Sequence, residues 1–385
     1  MKARTFVLAP DSFKESMTAE RACCAMQRGI KNILPDAICI HVPMADGGEG
    51  TVDAMISALQ GTRVNCEVMG PLATQRIHTY WGLIDHGRTA VIEMAKANGI
   101  HLLEAERRNP MNTSTYGTGQ MIKQALDLGV SKIIIGLGGS VTNDAGAGMA
   151  QALGVKFLNQ EGGELGFGGG ALGNLDHIDL TALDPRLAQT EIIIASDVNN
   201  PLCGEHGASY VFGPQKGASP DMVKQLDQNL DLFSNVVESK LKIHVKHLQG
   251  AGAAGGLGFG LMAFTGAKIQ SGAELLIQET DLAEKIAQAD YVLTGEGSID
   301  FQTKFGKTPW AVAQVAKRLN KPVIAFAGKV GADIEPLFAE GFTEIIGINP
   351  PDCDLETALA NAEKNLEITC QKCCRKMAIK DDVLL

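Results

Sequence analysis

The chain has 385 residues, 45% of them hydrophobic and 20% charged, which is long enough for two domains and ordinary for a globular protein. A formal net charge of −10 argues against a nucleic-acid or anionic-membrane binder, while leaving room for a locally basic pocket that takes phosphate. No apolar run reaches the roughly 18 residues of a membrane span, and the opening MKARTFVLAPDS is too weakly apolar for a secretory signal, so a cytoplasmic location is expected.

Forty-four glycines and few aromatics suit an α/β protein with many tight turns. Residues 5–9 read as a strand that runs into Pro10-Asp11-Ser12-Phe13-Lys14, and Thr18 starts a helix to about Lys31. A second strand over 38–42 ends in Met44-Ala45-Asp46-Gly47-Gly48-Glu49-Gly50-Thr51, before a helix over 52–59. In a parallel sheet such loops share one edge, where ligands bind. Gly47 and Gly48 would let backbone approach a ligand closely, and Asp46 and Glu49 beside them suit a metal or a hydroxyl. Asp11, Ser12 and Lys14 offer an acid, a hydroxyl and a cation within four residues, the bland alternative being a capped turn.

Residues 64–69, 78–84 and 89–94 then read as strands with short turns, an antiparallel or mixed sheet that signals a change of domain. The hydroxyl-rich stretch 112–119 leads into a helix; it suits an anion, and capping explains it as well. The strand 132–135 feeds a glycine turn carrying Ser140, Thr142, Asn143 and Asp144, and then a small-residue helix. This is the second strongest site signal in the chain. Asp197 follows the strand 191–195 as a catalytic or metal candidate. Residues 162–173 and 207–217 read as loops, and 221–240 as a long amphipathic helix. Gly250, Gly252 and Gly255 satisfy G-x-G-x-x-G, but the segment before them is a poor strand, so the glycines are expected to serve close packing in a helix.

The richest stretch is 289–319. Residues 291–293 read as a short buried strand and 294–307 as a loop with Gly295, Glu296, Asp300, Lys304 and Lys307. Pro309 opens a helix, with Thr308 as its expected N-cap. Gly306-Lys307-Thr308 matches the end of a Walker A element, but Phe301 stands where that element needs a glycine. Glu296 and Asp300 suit Mg²⁺ or a hydroxyl proton, and the two lysines suit phosphate charge, which is most of what phosphoryl transfer requires. Strands over 323–327 and 343–348 and a helix over 356–367 follow. Cys370, Cys373 and Cys374 are the only cysteine cluster, explained by helical spacing as well as by metal binding.

Six segments in order resemble the bacterial glycerate kinases of type one: APDSFKESMTA (9–19), PMADGGEGT (43–51), GLGGSVTNDAGAG (136–148), SDVNNPLCG (196–204), GAAGGLGFG (252–260) and TGEGSIDFQTKFGKTP (294–309). The resemblance covers nearly the whole chain. It implies an α/β fold of two domains, with a mixed α/β domain (66–285) inserted into a Rossmann-like parallel-sheet domain (1–65 plus 286–385) and the site between them. It also implies ATP-dependent, Mg²⁺-assisted phosphorylation of D-glycerate, in the bacterial members at the 2-hydroxyl, within glyoxylate and aldarate breakdown. The residues themselves leave 2- and 3-phosphorylation open. An acid among Asp46, Asp197 and Asp300 is expected to accept the hydroxyl proton, with Lys14, Lys304 or Lys307 stabilising the transferring phosphoryl group. Asp197 and Glu296 are the expected Mg²⁺ ligands. The expected partners are D-glycerate and ATP, without nucleic acid or membrane, and a homodimer is compatible with this reading. The competing class is a dinucleotide-dependent oxidoreductase, resting on Gly250–Gly255 with Glu274 as its acid.

Overall fold

The computed structural model describes residues 3–305 and 307–382. In chain order its strands are β1 (Thr5–Leu8), β2 (Ile38–His41), β3 (Thr62–Met69), β4 (Arg76–Ile84), β5 (Thr89–Glu93), β6 (Lys132–Gly136), β7 (Lys156–Leu158), β8 (His177–Asp179), β9 (Glu191–Ala195), β10 (Lys268–Gln270), β11 (Tyr291–Ile299), β12 (Val323–Val330) and β13 (Glu344–Gly347). The fold is α/β, with one parallel and one mixed sheet. The chain divides into two compact units: unit 1 comprises Met1–Asp46, Asp53–Gln60 and Ala273–Leu385, and unit 2 comprises Gly47–Val52 and Gly61–Gly272.

Unit 1 is built on a parallel sheet in the order β13-β12-β11-β1-β2. Its central strands are apolar runs buried on both faces, which forces helices onto both sides. The order reverses between β1 and β11, and the crevice beyond the carboxyl ends of such a pair is where open α/β sheets bind ligands. Thr18 caps the helix Ala19–Lys31 by accepting from the Arg21 N–H, and Arg28 and Lys31 complement its last turn. That helix packs on Leu355–Asp382, where Gly29 is required because a Cβ there would lie 2.5 Å from the Glu367 carbonyl oxygen. Arg21 and Arg28 tie the same pair together through Glu363 and Glu367.

Three sequence expectations change here. The helix expected over 356–367 runs on to Asp382, and its face carries Cys370, Cys373 and Cys374 into the core with Phe6, Met26 and Leu366. All three cysteines are buried there and pack against that core. The strand expected over 291–293 continues to Ile299, since pairing with β12 persists to Ile299–Val330 and Gly295 has no Cβ to meet the Phe326 carbonyl oxygen, which would lie 2.3 Å away. Lys307, not Thr308, is the N-cap of the helix Thr308–Arg318; Thr308 is already in its first turn and spends its hydroxyl elsewhere.

Unit 2 has a mixed sheet in the order β10-β9-β6-β5-β4-β3, parallel from β10 to β5 and antiparallel from there to β3. The Ile133–Ile135 and Ile192–Ile194 runs form its buried centre. A second core gathers Phe157, Phe233, Phe259 and Phe264 around the helix Pro220–Leu241 and the hairpin β7–β8. The stretch 207–217, expected as loop, forms the helix Ala208–Phe212 and a 3-10 turn, Pro214–Lys216.

Candidate active site

In unit 1 the chain leaving β1 stays beside β11. Ala9 N–H donates to the Leu293 carbonyl and Asp11 N–H to the Gly295 carbonyl, so Asp11 arrives next to Glu296 at the point where strand order reverses. Asp11 Oδ2 accepts the Thr308 hydroxyl at 2.6 Å and Oδ1 accepts the Ser12 N–H at 2.6 Å. Desolvation pushes the Asp11 carboxyl up to about 6; the Asp46 charge adds to this, while Thr308, Ser12 and Lys14 oppose it. Desolvation also pushes Glu296 up to about 7, against the pull of Lys307 and with the Asp11 charge adding. Lys307 Nζ lies 3.5 Å from Glu296 Oε1 and donates to the Ser298 carbonyl at 3.2 Å. Thr303 donates its hydroxyl to the same Glu296 oxygen at 3.4 Å.

Two carboxylates underserved by solvent, one feeling the charge of the other, suit a divalent cation, which would replace the protons they otherwise hold. Mg²⁺ needs no more from protein than one or two carboxylates, since water and phosphate oxygens fill its other positions. The remaining residues of the stretch divide. Asp300 accepts the Gln302 N–H and shapes the 3-10 turn Phe301–Phe305, while the Lys304 ammonium sits 3.7 Å from the centroid of the Phe301 ring. Gly306 lies outside the described residues. Lys14 is exposed and Asp46 half-buried.

In unit 2 the carboxyl ends of β5, β6 and β9 meet the Gly47–Thr51 segment. A Cβ on Gly47 (φ +87°) would lie 2.6 Å from the Ala195 carbonyl oxygen, one on Gly136 would lie 2.6 Å from the Gly47 oxygen, and one on Gly138 2.6 Å from Gly48 Cα. The glycines of both motifs therefore serve each other's approach. Glu93, at the end of β5 and 2% exposed, accepts the Val52 N–H at 2.7 Å and so holds the start of the helix Thr51–Leu59. Lys96 lies 3.7 Å from the other Glu93 oxygen and donates to the Tyr80 hydroxyl at 3.0 Å. Neither Glu93 nor Lys96 stands out in the sequence: one ends an apolar strand, the other begins a short helix. Glu49 and Asp197 are exposed at this edge, Asp197 two residues after β9.

The Ser140–Asp144 turn is buried. Asp144 accepts from Thr115 N–H at 2.8 Å, the Thr115 hydroxyl at 2.9 Å, Gly146 N–H at 3.1 Å and Gly148 N–H at 3.3 Å. Burial outweighs these bonds and holds its carboxyl above the usual range. The hydroxyls of 112–119 are likewise taken up inside the protein: Thr113 donates to the Val141 carbonyl and Thr118 to Asn98. Lys216, which sequence reading passed over, is fully buried and donates to Ser140 Oγ and the Thr142 carbonyl. Gly255 (φ +67°) is pressed against the same turn, where a Cβ would meet the Thr142 carbonyl oxygen at 1.9 Å. No strand leads into Gly250. The glycines at 250–255 are packing glycines and do not form a dinucleotide fingerprint.

Comparison with known proteins gives the family. A family model described as the glycerate kinase family matches residues 6–378. The glycerate kinase of Haemophilus influenzae is 48% identical over 375 residues, covering 97% of this chain and 99% of that protein. The glycerate 2-kinase of Escherichia coli K12 is 48% identical over 360 residues, 94% of each chain. A crystal structure reported for a candidate glycerate kinase 2 of Salmonella typhimurium LT2 is similar with a TM-score of 0.90 at 44% identity, covering 99% of this chain and all of that one. Among the described residues no helix is long and apolar enough to cross a membrane. Acids, lysines and glycine turns gathered at two sheet edges, and relatives matched along nearly their whole length, place this chain in the glycerate kinase family, as an enzyme of that kind.

Proposed function

We propose that the enzyme transfers the γ-phosphoryl group of ATP to the 2-hydroxyl of D-glycerate, giving 2-phospho-D-glycerate and ADP. The observation that carries the nucleotide half is the Asp11–Glu296 carboxylate pair beside Lys307 and the start of the helix Thr308–Arg318. A helix N-terminus and a lysine favour phosphate, and Asp11 and Glu296 would hold Mg²⁺, which neutralises charge on the β- and γ-phosphate oxygens when bound. This pairing takes Asp11, rather than the Asp197 expected from sequence, as the partner of Glu296. The Escherichia coli relative named glycerate 2-kinase supports the 2-position.

In the transfer the glycerate oxygen bonds to the γ-phosphorus as the bond to the β,γ-bridging oxygen breaks. The hydroxyl proton passes to a carboxylate, for which Asp46 and Asp197 are the proposed acceptors. Lys307 stabilises the charge of the transferring group, with Lys14 and Lys304 in support. The glycines at 47, 48 and 138 let the two loops pack closely at this edge, and backbone N–H groups so exposed would favour an anion. The reading carries with it a cytoplasmic enzyme of organic-acid breakdown, where ATP is supplied.

The test is ³¹P NMR of the protein with Mg·ATP and D-glycerate. A new phosphomonoester resonance split into a doublet by the single proton on C2 is the expected result; a triplet from the C3 methylene would establish the 3-kinase. A folded, ATP-binding protein that gives neither signal would overturn D-glycerate as acceptor.

A further inference from the structure

Two side chains of the 207–217 stretch reach the Ser140–Asn143 turn. Ser209, on the helix Ala208–Phe212, donates to Asn143 Oδ1 at 3.2 Å. Lys216, closing the 3-10 turn Pro214–Lys216, donates to Ser140 Oγ at 2.8 Å and to the Thr142 carbonyl at 2.7 Å. Lys216 is 1% exposed, and burying an amine so completely carries a desolvation penalty that space-filling alone would never require. Burial pulls it down to about 7 while the Asp144 carboxylate, on the turn itself, pulls the other way. In either protonation state the nitrogen keeps the two N–H donors that Ser140 and Thr142 take.

The turn also bears polar atoms that are buried without a partner, the Thr142 hydroxyl and the Asn143 amide nitrogen. A buried polar atom left without a partner has lost its hydration with nothing in exchange. The turn therefore holds its shape against a local cost, and the bonds from Lys216 and Ser209 offset it. Ser140 retains 8% exposure. Because its oxygen accepts from Lys216, its own O–H is left to donate, and a donor polarised from behind is a stronger partner for an anion.

We infer that Lys216 is a positioning residue of the active site, fixing the Ser140–Asn143 turn so that the Ser140 hydroxyl donates to the carboxylate of the organic-acid substrate. The substrate class rests on the D-glycerate reading above; the clamp itself rests on Lys216, Ser209 and the turn.

The test combines steady-state kinetics of Lys216→Met, Ser140→Ala and the double variant with hydrogen exchange of the ligand-free proteins. Lys216→Met is expected to raise KM for D-glycerate about tenfold, leaving KM for ATP within about twofold. In the Ser140→Ala background the same substitution should cost less than about threefold, since both remove one chain of bonds. Equal effects in both backgrounds, or a fall in kcat with both KM values unchanged, would overturn the inference. Ser140→Ala alone should show the same KM split, and an unchanged KM for D-glycerate in that variant overturns it even if Lys216→Met does not fold. Residues 138–146 should exchange about tenfold faster in Lys216→Met than in the parent. Unchanged exchange there removes the clamp whatever the substrate, whereas a parent protein that does not phosphorylate D-glycerate removes only the substrate assignment.

Discussion

The Thr308 hydroxyl donates to Asp11 Oδ2 across 2.6 Å, tying the first turn of one helix to the loop after β1. The bond lowers the Asp11 pKa, so it favours the ionised carboxylate in a setting that otherwise disfavours it. Thr308→Val keeps the shape and removes the donor. If Asp11 serves Mg·ATP, kcat/KM for ATP should fall about tenfold with KM for D-glycerate little changed. Unaltered steady-state kinetics in a folded Thr308→Val protein would take Asp11 out of the nucleotide site.

The same pair makes a prediction about pH. Asp11 and Glu296 titrate near 6 and 7 when folded, above their ordinary values of 3.8 and 4.5. Between those limits the folded protein holds more protons than the unfolded chain, so stability falls as pH rises. Their contribution is complete below about pH 4 and is lost as pH climbs through about 6 and 7. The metal-free protein should therefore lose Tm from acid toward neutral pH more steeply than Glu296→Gln, as calorimetry would measure. Equal slopes in the two proteins would show that Glu296 is ionised throughout.

Asp46→Asn and Asp197→Asn are each expected to lower kcat at least about tenfold if the carboxylate takes the hydroxyl proton, a floor below the roughly 10²–10⁴-fold that general acid–base catalysis contributes. A coupled ADP-release assay decides it, and parental turnover in either folded variant strikes that residue from the mechanism.

Much of this site is legible in the sequence, because strand, polar loop and helix start follow one another in plain order at 5–19, and strand, glycine turn and helix start at 38–59 and 132–152. What escaped notice lacks a local signature. Lys216 is one lysine after Pro214-Gln215, and its partners at 140 and 142 are more than seventy positions away. Glu93 ends a buried strand and finds its partner at Val52 only when β5 and that helix start meet. The Asp46-Gly47-Gly48-Glu49 loop passes from one unit to the other between Asp46 and Gly47, a division that composition does not mark. Glycines at 295 and 297 read as loop, yet they extend β11: a Cβ on Gly295 would lie 2.3 Å from the Phe326 carbonyl oxygen, and one on Gly328 would lie 2.7 Å from the Gly297 carbonyl oxygen.

Gly255 and Gly266 separate close packing from backbone conformation. Both have positive φ, +67° and +69°, but a Cβ on Gly255 meets the Thr142 carbonyl while one on Gly266 meets nothing within 4 Å. Gly266→Ala should cost about 1 kcal/mol from backbone strain alone. Gly255→Ala should cost about 3 kcal/mol or more, because the Ser140–Asp144 turn must move as well. Thermal melts of the two variants side by side would show the difference, and equal losses would mean that the turn yields freely.

The parallel pairing of β1 with β11 has a consequence for the protein's synthesis. Phe6 waits for Tyr291, and the helix Ala19–Lys31 waits for Leu355–Asp382, while unit 2 can gather its own strands in the meantime. At about 5–20 residues per second, the roughly 250 residues between β2 and β11 take on the order of ten to fifty seconds to translate. For that interval Phe6 and Leu8 on β1, and Met26 and Ile30 on the helix, all fully buried in the finished unit, lack the later partners that complete their core.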